Sequence, residues 1–157
     1  MARFTVRDAR GRTLFQNNAP GLESALVSVP SIGPHASVAW VDDQLPAAGP
    51  PASVAAKVGE APQLSGPQPE VSLSGARISE DPANGVVATG TVANRSKVAQ
   101  SGLAVFAVAR RAGKIVAAGR AIVPELAPAG SAPFQASLVG DASGAQLDVA
   151  APPASFG

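Results

Sequence analysis

The sequence predicts an all-β chain of short antiparallel strands, and three observations point there. Fifteen Pro and 16 Gly among 157 residues interrupt helices and supply turns. No window sustains an apolar period near 3.6, whereas several alternate apolar and polar residues at period 2. A phrase is also written twice. "IGPHASVAW" (32–40) and "LAPAGSAPF" (126–134) match without a gap at Ile32/Leu126, Pro34/Pro128, Ser37/Ser131 and Trp40/Phe134.

The second occurrence sits in a unit that can be followed strand by strand. "EVSLSGARI" (70–78) places Val71 and Leu73 on one face, and "EDPANG" (80–85) turns the chain at Asn84-Gly85, a step suited to positive φ. Strands follow over 86–94 and 103–110, the latter with Phe106 and Val108 on one face. "RRAG" (110–113) reverses the chain into 114–119. The repeated phrase then leads a strand with Ala132, Phe134, Ala136 and Leu138 on one face. "AQLDVA" closes the unit over 145–150 through Leu147 and Val149. About seven short strands in about 80 residues suit an immunoglobulin-like antiparallel β-sandwich. This complete domain is expected over 70–151, with a tail over 152–157.

The first occurrence sits in a shorter setting. "FTVRDARGRTL" (4–14) aligns with "FAVARRAGKIV" (106–116), pairing Phe4 with Phe106, Val6 with Val108, Gly11 with Gly113 and Arg12 with Lys114. A longer connection through "FQNNAPGLESA" reaches the phrase, and "SVAAKV" (53–58) matches the closing strand. A partial repeat over 1–58, lacking about two N-terminal strands, is therefore expected. The Pro- and Gly-rich stretch over 59–69 is a linker by composition. The predicted core residues are Phe4, Val6, Trp40, Phe106, Val108 and Phe134. Phe106/Phe134 and Phe4/Trp40 are expected to pair, each aromatic contributing on the order of 2–3 kcal/mol by burial.

Composition excludes several classes of function. Twelve basic and 11 acidic residues leave a net charge of +1, without the concentrated basic face that nucleic acid requires. The absence of Cys removes disulfides, thiolate metal sites and thiol nucleophiles. The opening "MARFTVRDARG" carries no apolar leader, and apolar runs stop well short of the roughly 20 residues of a membrane helix. No membrane insertion is expected.

Candidate chemistry is sparse. His35 is the sole histidine, lies in a Pro-containing turn, and has no second imidazole or thiol to work with. Asp42-Asp43 offers one adjacent carboxylate pair, too few oxygens for calcium. No Gly-x-Ser-x-Gly elbow or phosphate-binding Gly loop occurs. No catalytic residue, cofactor or metal is expected, and the chain reads as a non-enzyme. Asn94-Arg95-Ser96 fits a glycosylation sequon but reads as a turn after a strand. Lys57, Lys97 and Lys114 stand in polar contexts unsuited to an internal Lys–Asn crosslink. Arg3, Arg7, Arg10 and Arg12 at one hairpin, and Arg110, Arg111, Lys114 and Arg120 at its equivalent, read as solvated turns that blunt strand edges. A weak contact with an anionic envelope polymer is the functional alternative.

Three motifs carry a family resemblance: "GTVANRS" (90–96) with its Gly-x-Val-x-Asn spacing, the aromatic "VFAVARRAGKIV" (105–116), and Leu-x-Pro-x-Gly-Ser-x-x-Phe over 126–134. The unit over 70–150 resembles the FxLYD family of immunoglobulin-like domains. The name motif keeps its Phe at Phe106 and loses Tyr and Asp over Ala107 to Arg110. The first copy, Phe4 to Asp8, keeps the Asp. The resemblance implies a non-catalytic module of bacterial extracytoplasmic, often membrane-anchored proteins. The sequence then leaves three readings of the incomplete first copy. It is a piece cut from a longer envelope protein, a compact sheet that pairs differently, or a sandwich completed by a strand from a neighbouring chain. The last would make the protein a structural subunit of a fibre, particle or surface layer, with Phe4, Thr5, Val6 and Arg7 as the partner-strand interface. A protein partner or self-association is expected.

Overall fold

The computed structural model describes every residue except Ala19, Pro46, Ala47 and Gly157. Ala19 falls in the expected long connection, and Gly157 ends the expected tail. The regular structure is antiparallel β-sheet, apart from one 3₁₀ turn at Ser24–Leu26. Two compact units form. One joins Met1–Val29 with Gln44–Ser65; the other joins Pro30–Asp43 with the chain from Gly66 onward. One boundary falls inside the stretch expected as a linker, but the segment 30–43, expected within the first repeat, groups with the second unit.

The second unit contains β4 (Val71–Asp81), β5 (Gly85–Asn94), β6 (Gln100–Arg111), β7 (Lys114–Leu126), β8 (Ser131–Ser137), β9 (Val139–Gly140) and β10 (Gln146–Ala150). They make two antiparallel sheets, ordered β4-β5-β8 and β10-β6-β7-β9. Side chains alternate across a strand. Ala88, Val92, Phe134 and Ala136 of the first sheet therefore meet Leu103, Val105, Ala107, Ala109, Ala117 and Val123 of the second in one apolar interior. One half of that interior is almost entirely alanine. The other holds the larger Val and Leu side chains around Phe134.

Phe134 can occupy that place because Gly90 lies across from it in the β5–β8 register. A Cβ on Gly90 would stand 2.7 Å from the ring. Two residues on, Val92 is buried in the interior. Asn94, four residues on, is fully buried and bonds outward from the strand end. Its amide nitrogen donates to the carbonyls of Val98, at 2.8 Å, and of Leu126 and Ala127; its oxygen accepts from Ser96. The Gly-x-Val-x-Asn spacing thus joins a ring, a core and a turn. The β4–β5 connection is three residues, Pro82 to Asn84, and of the expected Asn84-Gly85 step only Gly85, the first residue of β5, has positive φ (71°).

The expected Phe106/Phe134 pair does not form. Odd-numbered β6 residues enter the interior, so Phe106 and Val108 face the opposite side of their sheet, where Phe106 lies opposite Arg120 of β7. Phe106 is nonetheless only 1% exposed, so that outer face is covered. The segment 30–43 belongs to this unit and reaches the same face, where Arg120 Nε donates to Asp43 Oδ1 at 3.2 Å. The residues expected as a tail are held too. Gln100 Oε1 accepts from the Ala154 and Ser155 amides, and Ala154 packs on the interior.

The first unit contains β1 (Ala2–Arg7), β2 (Thr13–Gln16) and β3 (Ser53–Val58), ordered β2-β1-β3. Phe4 packs on Phe15, ring centroids 5.6 Å apart. Trp40 is half-buried within the segment that groups with the second unit. The repeated phrase gives one turn twice: Ala36 N–H donates to Gly33 and Gly130 N–H to Ala127, with φ of 56° at His35 and 55° at Ala129. Pro before a positive-φ residue is the type II pattern. After it the copies diverge. Ser131 begins β8, which pairs with β5, whereas 36–45 has no strand.

Gly90→Ala is expected to lower stability by about 1–3 kcal/mol through overpacking against Phe134, whereas outward-facing Thr91→Ala stays within about 0.5 kcal/mol. Denaturant unfolding of both variants checks this, and equal midpoints contradict it.

Candidate functional site

Strand β1 runs between β2 and β3, with ladders on both sides. Phe4, Thr5, Val6 and Arg7 therefore offer no free edge, which corrects their assignment as a partner-strand interface. The open edge belongs to β3. Gly59 N–H donates to Met1 O, and the β1–β3 register pairs odd residues with odd. In an antiparallel ladder bonded pairs alternate with non-bonded ones. Ser53, Ala55 and Lys57 thus bond to β1, and the N–H and C=O groups of Val54, Ala56 and Val58 point away from it. The β2 side of β1 agrees, since Phe4 N–H donates to Asn17 Oδ1 at 2.7 Å and Phe4 O accepts from Asn17 N–H.

The same three β3 residues carry the sheet's apolar face outward. Val54 lies opposite buried Val6, Ala56 opposite buried Phe4. Yet Val54 is 65% and Val58 83% exposed. A strand edge with unpaired backbone and exposed valines is a template for another strand. Sequence reasoning placed 53–58 as a closing strand and passed over its edge. The legible signal was its composition: it contains no Pro and Lys57 is its one charge, so a single Lys is all its side chains offer against edge pairing.

A second feature lies on the β4-β5-β8 sheet. The β4–β5 register slips between Ser74 and Arg77, a bulge that bends the strand. An open depression of about 450 Å³ forms beside it, lined by Gly75, Arg77, Thr89, Thr91, Phe134 and Gln135. Thr89 Oγ1 is buried there without a hydrogen-bond partner among the described residues. The depression presents one guanidinium, hydroxyls and an amide, a set that recognises by hydrogen bonding.

The remaining candidates fall into structural roles. Asp43 pairs with the Arg120 guanidinium, whose side chain is 4% exposed. No group of three metal-ligating side chains occurs among the described residues. His35 is exposed in its turn. Several hairpin cations are engaged by carboxylates: Arg12 with Asp8, Arg110 with Asp148, Arg111 with Asp141. Asn94 of the sequon is fully buried. No helix among the described residues is long and apolar enough to cross a membrane. Asp141 is held down to about 2 by the Ser143 hydroxyl, the Ser143 N–H and Arg111.

Asp43→Ala leaves Arg120 buried without that carboxylate, at a cost on the order of 1–3 kcal/mol. Because Trp40 is the single tryptophan, the expected readout is a red-shifted emission as the segment loosens. An unchanged spectrum and midpoint contradict the anchoring role. For Asp141, the depressed folded value means its support is present above the ordinary 3.8 and lost as pH falls through about 2. A carboxyl NMR titration is expected to give that midpoint, moving upward in Ser143→Ala; a midpoint of 3.8 in the parent chain contradicts the assignment. Comparison with known protein families, curated proteins and solved structures finds no match for this chain.

Proposed function

We propose that this chain is a non-enzymatic interaction module of a bacterial cell-envelope protein, made of one immunoglobulin-like sandwich and a partial repeat of it. The observation that carries the reading is the unpaired outer edge of β3, with Val54 and Val58 standing in solvent. A binding surface of this kind works by backbone hydrogen bonding, which needs no catalytic group.

Strand order supports the immunoglobulin-like assignment. In β4-β5-β8 the second strand lies between the first and a later one, as B lies between A and E. In β7-β6-β10 the next strand lies between its hairpin partner and the closing strand, as C lies between C′ and F. The β2-β1-β3 order and antiparallel sense repeat those of β7-β6-β10, which supports the partial repeat. The Gly90-x-Val92-x-Asn94 motif, one of those on which the FxLYD resemblance rests, has a structural task at each position. The extracytoplasmic setting rests on that resemblance.

The same edge favours a second reading, a structural subunit whose sheet is continued by a neighbouring chain. A photo-crosslinking amino acid at Val58 tests the shared core of both readings in the cells that make the protein. The expected result is a discrete adduct at Val58 and none from the same probe at exposed Glu125, on the other unit and away from the depression. Absence of any adduct at Val58 overturns the interaction reading.

A further inference from the structure

We propose that the strand completing β3 is β3 of a second copy of this chain, paired antiparallel about a two-fold axis at Ala56. This rests on the interaction reading above and names its partner. Only Val54, Ala56 and Val58 point backbone groups outward, so a self-pairing can bond only in registers that set these residues opposite one another. Centring on Ala56 does this for all three: Val54 faces Val58 of the other copy, Ala56 faces Ala56, and Val58 faces Val54. Each bonded pair exchanges two hydrogen bonds, roughly six in all.

Neighbouring registers are worse. Moving the axis to Lys57 sets two ammonium groups directly opposite each other, a destabilising pair. Moving it to Ala55 sets Val58 against Ala52, outside the strand, and loses a pair of valines. About Ala56, Lys57 faces Ala55. The apolar face of Phe4, Val6 and Phe15 then continues across the junction. Both exposed valines of each copy form cross-strand contacts, in a sheet ordered β2-β1-β3-β3-β1-β2. Three other edges are less suited: β4 is broken by its bulge, β8 contains Pro133, and β2 is four residues long. A junction of two strands falls at the small end of interface sizes, below about 1,200 Å². The association is therefore concentration-dependent.

The chain has no cysteine, which makes the register directly testable on the full chain. Ala56→Cys places two thiols across the axis with Cα atoms about 5.5 Å apart, inside disulfide range. Ala55→Cys places its thiols on a diagonal of about 7–8 Å, beyond that range. Rapid oxidation to a covalent dimer is expected for Ala56→Cys, at least tenfold faster than for Ala55→Cys. Ala56→Pro removes an N–H that β1 does not use, so circular dichroism and melting are expected to stay near the parent's. Light scattering is expected to show a mass rising with concentration for the parent and a constant monomer for Ala56→Pro. Equal oxidation rates, a parent that remains monomeric at millimolar concentration, or a well-folded Ala56→Pro dimer overturns the pairing. If the Val58 probe captures a different protein while the parent stays monomeric, the self-pairing fails and the interaction reading stands. If neither partner is found, both fail.

Discussion

Backbone groups at the end of a strand need partners, and in this chain buried side-chain amides supply them. A primary amide presents the same donor and acceptor as a peptide group, so it can continue a ladder where the main chain turns away. Asn17 does so beside β1, accepting from Phe4 N–H and donating to the Ala2 and Leu26 carbonyls. Asn94 gathers the carbonyls of two turns at the end of β5. Gln100, at the start of β6, accepts from Ala154 and Ser155 and donates back to Ser155. Each is buried, and each would be costly if left unpaired. These three residues fix where the sheets stop. They also make β3 conspicuous, because no side chain among the described residues takes up its outward groups.

The second constraint is the scarcity of large side chains. Between the two sheets of the second unit, one half of the interior consists of Ala88, Ala107, Ala109, Ala117 and Ala136 with Leu138 and Ala142. Small residues let the sheets approach closely. A closely packed interior of this kind gains by area what it lacks in bulk, but it has little tolerance for added volume. Phe134 is the exception, and it is admitted by the missing Cβ of Gly90. On the opposite side of the β10-β6-β7-β9 sheet, Phe106 and Val108 are buried together with Arg120, so this sheet is enclosed on both faces.

Period-2 alternation located the strands of the second unit and grouped their side chains by face, because each strand's pattern is local. What it did not reveal is which face meets which sheet. Residues 103–109 form an unbroken apolar run, "LAVFAVA". Such a run marks a strand covered on both sides, and it does not say which side meets the opposing sheet, so Phe106 was expected on the wrong face, against Phe134. The repeated phrase identified a turn correctly in kind, since His35 and Ala129 share their positive φ. It did not identify the strand that follows, because a strand depends on a neighbour far away in sequence. Asn17 and Gln100 carry no local signal of their roles for the same reason: Gln100 meets Ala154 across 54 positions. The free edge of β3 was legible only in what the strand lacks.

The central claim is that β3 is bonded on one side and open on the other. Amide hydrogen exchange resolved to single residues tests it most directly. In dilute solution the account predicts protected amides at Ala55 and Lys57 and fast exchange at Val54, Ala56 and Val58, the latter three slowing as concentration rises. Protection of all five at every dilution would contradict it, for the edge would then be covered within the chain. Fast exchange at all five would contradict it equally, for β3 would then not be a strand of this sheet.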